Sequence, residues 1–156
     1  MKKSSSAADL LSLCFRMILG VIFFYAGSIK VLDPQGFALA VYNYHILPEF
    51  LINTVAVILP WIEVFAGAAL ILGLLVPGAS LIVSGLLLIF FCALAVSLAR
   101  GLDISCGCFS TLQDSNPITW MYLFRDGFLL AMAWFVFTYD SGRYGLVKII
   151  REKNQT

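Results

Sequence analysis

Long runs of apolar residues, separated by short polar segments, dominate the pattern of this chain. Four runs reach the roughly 20 residues that a membrane-spanning helix needs, and they cover about 10–32, 50–75, 79–99 and 118–139. A shorter run at 37–48 cannot span a bilayer, and its aromatic residues and final proline favour an interfacial or re-entrant helix. We therefore predict an all-α membrane protein, a four-transmembrane-helix bundle with a short interfacial helix between helices 1 and 2.

Helix-breaking residues predict where the helices end. The segment 33–36, Asp-Pro-Gln-Gly, is expected to end the first helix, and Val76-Pro77-Gly78 is expected to form the turn between the second and third spans. At 156 residues the chain is one domain by length. Its predicted parts are an N-terminus (1–9), a membrane domain (10–139) and a basic tail (140–156).

The composition supports insertion into a lipid bilayer. Hydrophobic residues make up 61% of the chain and charged residues 12%, with a mean hydropathy of +0.95. Soluble domains are roughly half apolar and a quarter charged. A net charge of +1 gives no reason to expect nucleic acid as a partner.

The distribution of basic residues predicts the orientation. With four spans both termini lie on one side, together with Lys2, Lys3 and the four basic residues of the tail. The positive-inside rule places this side in the cytoplasm. We thus predict a protein of the bacterial inner membrane with the loop 101–117 in the periplasm, where disulfides persist.

That loop contains the most reactive motif of the chain, Cys106-Gly107-Cys108. Cysteines one residue apart can place their Cα atoms about 5.5–7 Å apart, near the upper limit for a disulfide, and Gly107 permits the unusual backbone angle. A ring this small is a poor structural staple, whereas a strained and exposed disulfide is easily reduced. The motif predicts catalytic thiol–disulfide exchange; the alternative is two free thiols in a tight turn.

Ionisable residues inside or at the ends of the spans are the second candidate site. A charge at the bilayer centre costs at least about 2.5–3.5 kcal/mol, so such residues are usually paired inside the bundle. Glu63 is expected to pair with Lys30 or with Arg125, and the sequence does not decide between them. The group is predicted to form a pocket for a quinone head group or a proton relay, the alternative being a structural ion pair; its members are Lys30, Asp33, Glu63, Arg125 and Asp126.

Four other polar or sulfur-containing residues are weaker candidates. Cys92, about two turns from the outer end of the third span, is a candidate resolving thiol, although a lone helix cysteine is usually a small buried hydrophobe. Cys14 is expected to pack, and Arg16 is expected to reach the membrane surface with its long side chain. His45 either shuttles protons or lies at the interface. A zinc site would need four ligands, and two cysteines with one distant histidine fall short.

Several of these motifs together resemble the MauE/DoxX-like family of membrane proteins. The resemblance covers about residues 10–139. The matching elements are Phe24-Tyr25-Ala26-Gly27-Ser28-Ile29-Lys30-Val31-Leu32-Asp33-Pro34, Pro60-Trp61-Ile62-Glu63 with Gly67 and Gly73, Cys106-Gly107-Cys108-Phe109, and Leu123-Phe124-Arg125-Asp126. Ser105 and Ser110 stand where the family usually has aspartate and glycine, and Asp126 stands where asparagine is commoner.

The resemblance implies a four-helix membrane protein associated with redox processes. Members that serve methylamine metabolism are linked to maturation of the disulfide-rich small subunit of methylamine dehydrogenase, often beside a thioredoxin-like partner. DoxX relatives include subunits tied to quinone reduction. For this chain we therefore expect Cys106 and Cys108 to exchange electrons with a periplasmic thioredoxin-like protein or an exported disulfide-containing substrate, with quinone as a candidate acceptor.

Two alternatives remain open at this point. The chain can be a non-enzymatic membrane factor that docks an exported protein during maturation, with the disulfide only shaping the loop. It can also be a small-molecule transporter that uses the Glu63 site, although its two halves show no repeat of the kind that transporters often carry.

Overall fold

The computed structural model describes residues 6–100 and 120–139, which form five α-helices joined by short turns where the chain between them is described. The predicted all-helical fold is confirmed. The helices are α1 (Ser6–Leu32), α2 (Pro34–Asn43), α3 (Glu49–Leu72), α4 (Val76–Ala99) and α5 (Trp120–Tyr139).

Three of the described helices are long and apolar enough to cross a membrane. They are α1 from Asp9 onward, α3 and α4, and each of these segments has 24 residues. At 1.5 Å per residue, 24 residues extend about 36 Å, more than the ~30 Å hydrocarbon core of a bilayer. The fourth predicted span corresponds to α5, which has 20 residues and is not one of these three. The count of four spans therefore stays a prediction.

Helices α1 and α3 pack with their backbones in close contact. A Cβ atom added at Gly67 would lie 2.5 Å from the backbone nitrogen of Phe24 and 2.8 Å from the carbonyl oxygen of Gly20. A Cβ atom at Gly27 would lie 2.9 Å from both the Glu63 Cβ and the Pro60 carbonyl oxygen. Small residues allow such an approach between apolar helices, so Gly67 and Gly27 let the two helices pack this closely.

Helix α1 ends beside the middle of α3. Lys30, two residues before that end, contacts Glu63, which lies about 21 Å of helical rise from the start of α3 and about 13 Å from its end. Helix α2 begins at this depth and packs against α3. An interfacial position of α2 is therefore not confirmed, since its first turn lies level with the interior of the bundle.

The turn between α3 and α4 is formed by residues 73–75, so the turn predicted at 76–78 is wrong. Gly73 ends α3 in the left-handed conformation (φ 67°), and its N–H donates to the carbonyl of Leu70 at 3.2 Å. Leu75 is also left-handed, with φ 45°. Pro77 lies in the first turn of α4, where a missing N–H costs nothing because that donor has no partner within the helix.

The core lies between α1, α3, α4 and α5, and its members include Leu19, Leu70, Val83, Ala133 and Val136. Many large apolar side chains point away from it, among them Phe50, Phe65 and Phe124. Exposed apolar surface on this scale marks a region that contacts lipid or another apolar partner.

Candidate functional site

The centre of the bundle contains a buried ion pair between Lys30 of α1 and Glu63 of α3. The Nζ of Lys30 donates to Oε1 and Oε2 of Glu63 at 2.7 and 2.8 Å, and each side chain is only 2% exposed. The pairing follows from the close contact at Gly27, one turn before Lys30, where α3 approaches α1. Of the two partners that the sequence left open for Glu63, the structure places Lys30 against it.

Two aromatic rings complete the surroundings of the Lys30 ammonium. Its Nζ lies 5.0 Å from the ring centroid of Phe37 in α2 and 5.0 Å from that of Phe90 in α4. A cation at this distance is attracted by the negative face of the ring, and more strongly where water is excluded. Lys30 is therefore held by groups from α2, α3 and α4 at once.

Asp126 of α5 is the second buried carboxylate of the site. Its side chain is 4% exposed, and its Oδ1 accepts hydrogen bonds from Nε and Nη2 of the neighbouring Arg125 at 3.0 and 2.9 Å. Asp126 lines one cavity of about 30 Å³ together with Lys30 and Glu63. A volume of this size suits one or two water molecules, which can connect the two carboxylates with the ammonium.

The site as a whole is electrically balanced, with two acidic and two basic side chains. Balance of this kind makes charges tolerable in an apolar bundle, because each ion has a partner close by. Arg125 is one third exposed, in contrast to the other three residues. Ionisable groups around a small cavity that can contain water are able to hold protons and to transfer them.

Asp33, the fifth predicted member of this group, has a different place in the structure. It is the N-cap of α2, and its Oδ1 accepts a hydrogen bond from the backbone N–H of Gly36 at 2.9 Å. It does not line the cavity that Lys30, Glu63 and Asp126 share. Asp33 therefore stabilises the start of α2, where the chain breaks between α1 and α2.

Of the predicted redox residues, Cys106 and Cys108 lie outside the described residues. Cys92 and Cys14 are free thiols, and both are exposed on the surface of the bundle. The expectation that they pack as buried hydrophobes is therefore wrong, because their positions on α4 and α1 face away from the core. The role of Cys92 as a resolving thiol stays a prediction.

Two further expectations concern His45 and metals. His45 follows α2 with φ 50°, and its Nδ1 lies 2.9 Å from the carbonyl oxygen of Asn43. It does not line the cavity of the ion pair. Within residues 6–100 and 120–139 no three His, Cys, Asp or Glu side chains come close enough together to hold a metal ion.

A second buried polar cluster, near the start of α1, was not predicted. Asp9, Ser12 and Arg16 lie on one face of the helix and are all buried. Arg16 does not extend to the surface as expected, because it faces the interior at 2% exposure. The signal in the sequence was the spacing of three and four residues between these polar positions, which repeats once per helical turn.

These features define a class: a helical protein with several helices able to cross a membrane and with charged side chains paired inside the bundle. The family model for the methylamine utilisation protein MauE matches residues 8–139, and the chain belongs to this family of membrane proteins. The match includes all of the cluster of Lys30, Glu63 and Asp126. No solved structure matches the chain significantly.

Three curated relatives are similar at the sequence level, and each is a methylamine utilization protein MauE. The chain is 32% identical over 119 residues to that of Paracoccus denitrificans (76% of this chain, 63% of the relative). It is 32% identical over 108 residues to that of Methylophilus methylotrophus (69% and 57%). It is 30% identical over 110 residues to that of Methylorubrum extorquens (67% and 59%). The match thus spans about three fifths of the length of these relatives.

Proposed function

We propose that this chain is a thiol–disulfide redox protein of the bacterial inner membrane, of the kind that serves methylamine utilisation. Cys106 and Cys108 exchange electrons with a periplasmic thioredoxin-like protein or with an exported substrate that contains disulfides, and the process matures the exported protein. The observation that carries the proposal is the buried cluster of Lys30, Glu63 and Asp126 around one cavity, in a MauE family chain that also contains the Cys-Gly-Cys motif.

The chemistry explains why both features are needed. When the dithiol of one protein becomes a disulfide, two S–H bonds break and one S–S bond forms, and the two electrons and two protons pass to the other protein, whose S–S bond breaks to give two thiols. Exchange with a partner proceeds by attack of a thiolate on a disulfide through a mixed disulfide. The attacking thiol gives up its proton to become a thiolate, and Glu63 and Asp126 are buried carboxylates that can hold a proton during the exchange. Charged groups at such depth are rare unless they are functional or paired.

The proposed orientation rests on the distribution of charge. Both termini lie in the cytoplasm, where the positive-inside rule places the basic residues at 2–3 and in the tail. The Cys-Gly-Cys motif follows α4, which runs in the opposite direction to α3, and it is then on the periplasmic side. That compartment permits disulfides to form.

Trapping a mixed disulfide tests the proposal directly. In Cys106→Ser or Cys108→Ser, the remaining thiol attacks the partner and has no neighbour to resolve the bond, so a covalent complex accumulates. The variants are made in a Cys14→Ser/Cys92→Ser background, and the complex is identified by mass spectrometry after non-reducing electrophoresis. We expect one of the two variants to trap a thioredoxin-like protein or an exported substrate, and the double variant to trap nothing.

Two results contradict the proposal. Maturation of the exported partner that continues when both Cys106 and Cys108 are serine identifies a docking factor instead. Uptake of a solute by proteoliposomes that depends on Glu63 but not on Cys106 identifies a transporter.

A further inference from the structure

A second and larger cavity lies beside the ion pair. It measures about 160 Å³ and is lined by α2, α3, α4 and the segment that follows α2. Phe37 and Phe90, the two rings that face the Lys30 ammonium, also line it. Voids so much larger than a water molecule are rare in folded proteins, which indicates that this space has an occupant.

We propose that this cavity binds one hydrocarbon chain of a membrane phospholipid, which enters sideways from the bilayer. The ligand is an acyl chain whose polar head group stays outside the bundle. The site is separate from the cysteine chemistry proposed above and does not depend on it.

The lining of the cavity selects an apolar ligand. Among the described residues that line it only Tyr44 has a polar side-chain atom, and the others are aliphatic or phenylalanine. Ions, sugars and peptide segments are therefore excluded, because their polar groups would remain without hydrogen bonds. Water is excluded as well, since an engineered apolar cavity of about 150 Å³ stays dry and binds benzene instead. A chain of methylene groups has no polar atom that needs a partner.

The cavity opens towards the surface of the bundle. Ile46, after α2, and Ile89 of α4 belong to its lining, and they are 46% and 61% exposed. Phe37 and Ala40, on the α2 side of the cavity, are buried. A chain from the surrounding lipid thus has a path past Ile46 and Ile89 to the buried wall.

The depth of the cavity fits the chain of a lipid in the nearer leaflet. Its lining residues on α4 run from Ile89 to Ala93, between about 9 and 15 Å of helical rise from the end of α4 at Ala99. The hydrocarbon core of a bilayer is ~30 Å thick, so each leaflet contributes about 15 Å. The cavity therefore lies among the acyl chains of one leaflet, while the head group of the same lipid remains at the membrane surface.

An occupied cavity also supports the ion pair. The chain packs against Phe37 and Phe90, the same rings whose faces attract the Lys30 ammonium. Contacts with the chain replace those that an empty space would deny to these rings. The bound lipid thus helps to keep both rings beside Lys30.

Photo-crosslinking to the purified full-length chain in detergent tests the inference. The probe is a phosphatidylethanolamine with a diazirine in the middle of one acyl chain, and mass spectrometry identifies the labelled residues. We expect labelling of Phe37, because a chain outside the bundle does not reach this buried side chain. Ala40→Phe and Ala93→Phe each fill the cavity from a different helix and are expected to lower the labelling of Phe37 at least about fivefold. Ala131→Phe, the matched control, adds the same ring at an exposed position of α5 and is expected to leave it unchanged.

Competition on the parent chain identifies the source of the acyl chain and needs no variant. Unlabelled palmitoyl-oleoyl phosphatidylethanolamine is expected to displace the probe from Phe37, and oleic acid at the same concentration is expected to displace less of it. Labelling of Phe124, which is exposed on α5, reports lipid on the outer surface and is expected to be equal in all variants. The helical circular dichroism signal identifies a variant that has lost its fold.

Three results overturn the inference. The first is no labelling of Phe37 in the parent chain, and the second is unchanged labelling of Phe37 in both cavity variants. The third is displacement by oleic acid that equals or exceeds displacement by the phospholipid, which identifies a free fatty acid as the ligand.

Discussion

Removing one partner of the buried Lys30–Glu63 pair is expected to destabilise the bundle far more than replacing both. In Lys30→Met the Glu63 carboxylate loses hydrogen bonds of 2.7 and 2.8 Å while its side chain stays 2% exposed. In Glu63→Leu the ammonium of Lys30 loses its paired carboxylate and keeps the rings of Phe37 and Phe90. The double variant Lys30→Met/Glu63→Leu places apolar side chains of similar length at both positions.

The magnitudes follow from charge burial. Two unit charges 4 Å apart attract by about 4 kcal/mol at an effective dielectric constant of about 20, while bringing each ion out of water costs several kcal/mol. The intact pair therefore contributes little net stability, but a single removal leaves one buried ion and costs about 3–5 kcal/mol. The loss of stability in Glu63→Leu is expected at the lower end of this range. The rings of Phe37 and Phe90 each attract the remaining ammonium by about 1 kcal/mol, which offsets part of the cost. The double variant is expected within about 1 kcal/mol of the parent, or above it.

The assay is unfolding in mixed micelles with a rising mole fraction of sodium dodecyl sulfate, followed by the helical circular dichroism signal. We expect a coupling free energy of at least about 3 kcal/mol between the two positions. Glu49→Gln is the matched control, because this acid lies exposed at the start of the same helix, and its effect is expected within about 0.5 kcal/mol. Single variants as stable as the parent, or a double variant whose loss equals the sum of the two, refute the reasoning.

Two further predictions use the same unfolding measurement. Gly67→Ala places a Cβ 2.5 Å from the backbone nitrogen of Phe24 and is expected to cost about 1–3 kcal/mol. Gly85→Ala, whose Cβ would meet nothing within 4 Å, is expected to gain up to about 1 kcal/mol; equal effects of the two contradict the packing argument. Asp33→Ala removes the cap that accepts from Gly36 at 2.9 Å and is expected to cost about 1 kcal/mol. Asp33→Asn keeps an acceptor oxygen and is expected to remain near the parent, and a loss as large as that of alanine contradicts the capping role.

Two predictions from the sequence, the turn at 76–78 and the position of Arg16, were wrong because both depend on how the helices are arranged in three dimensions. The turn was predicted at Val76-Pro77-Gly78 because proline and glycine are typical of turns, yet the left-handed residues are Gly73 and Leu75. Proline is also common in the first turn of a helix. Only the three-dimensional course of the backbone shows whether a given proline lies in a turn or at the start of a helix. Arg16 was expected at the surface because its side chain is long, but the neighbouring helices bury the face of α1 that carries it.

The sequence by itself determined that this is a helical membrane protein. Apolar runs of about 20 or more residues are long enough to cross the hydrocarbon core as helices, and a helix gives each backbone N–H and C=O a partner within the run. It also singled out the candidate residues for chemistry, because charges and closely spaced cysteines stand out against such runs. The tertiary structure alone decided which charges meet. Lys30 pairs with Glu63, 33 residues away, because glycines on α1 and α3 let the two backbones approach, and contacts between distant segments are not encoded in local spacing.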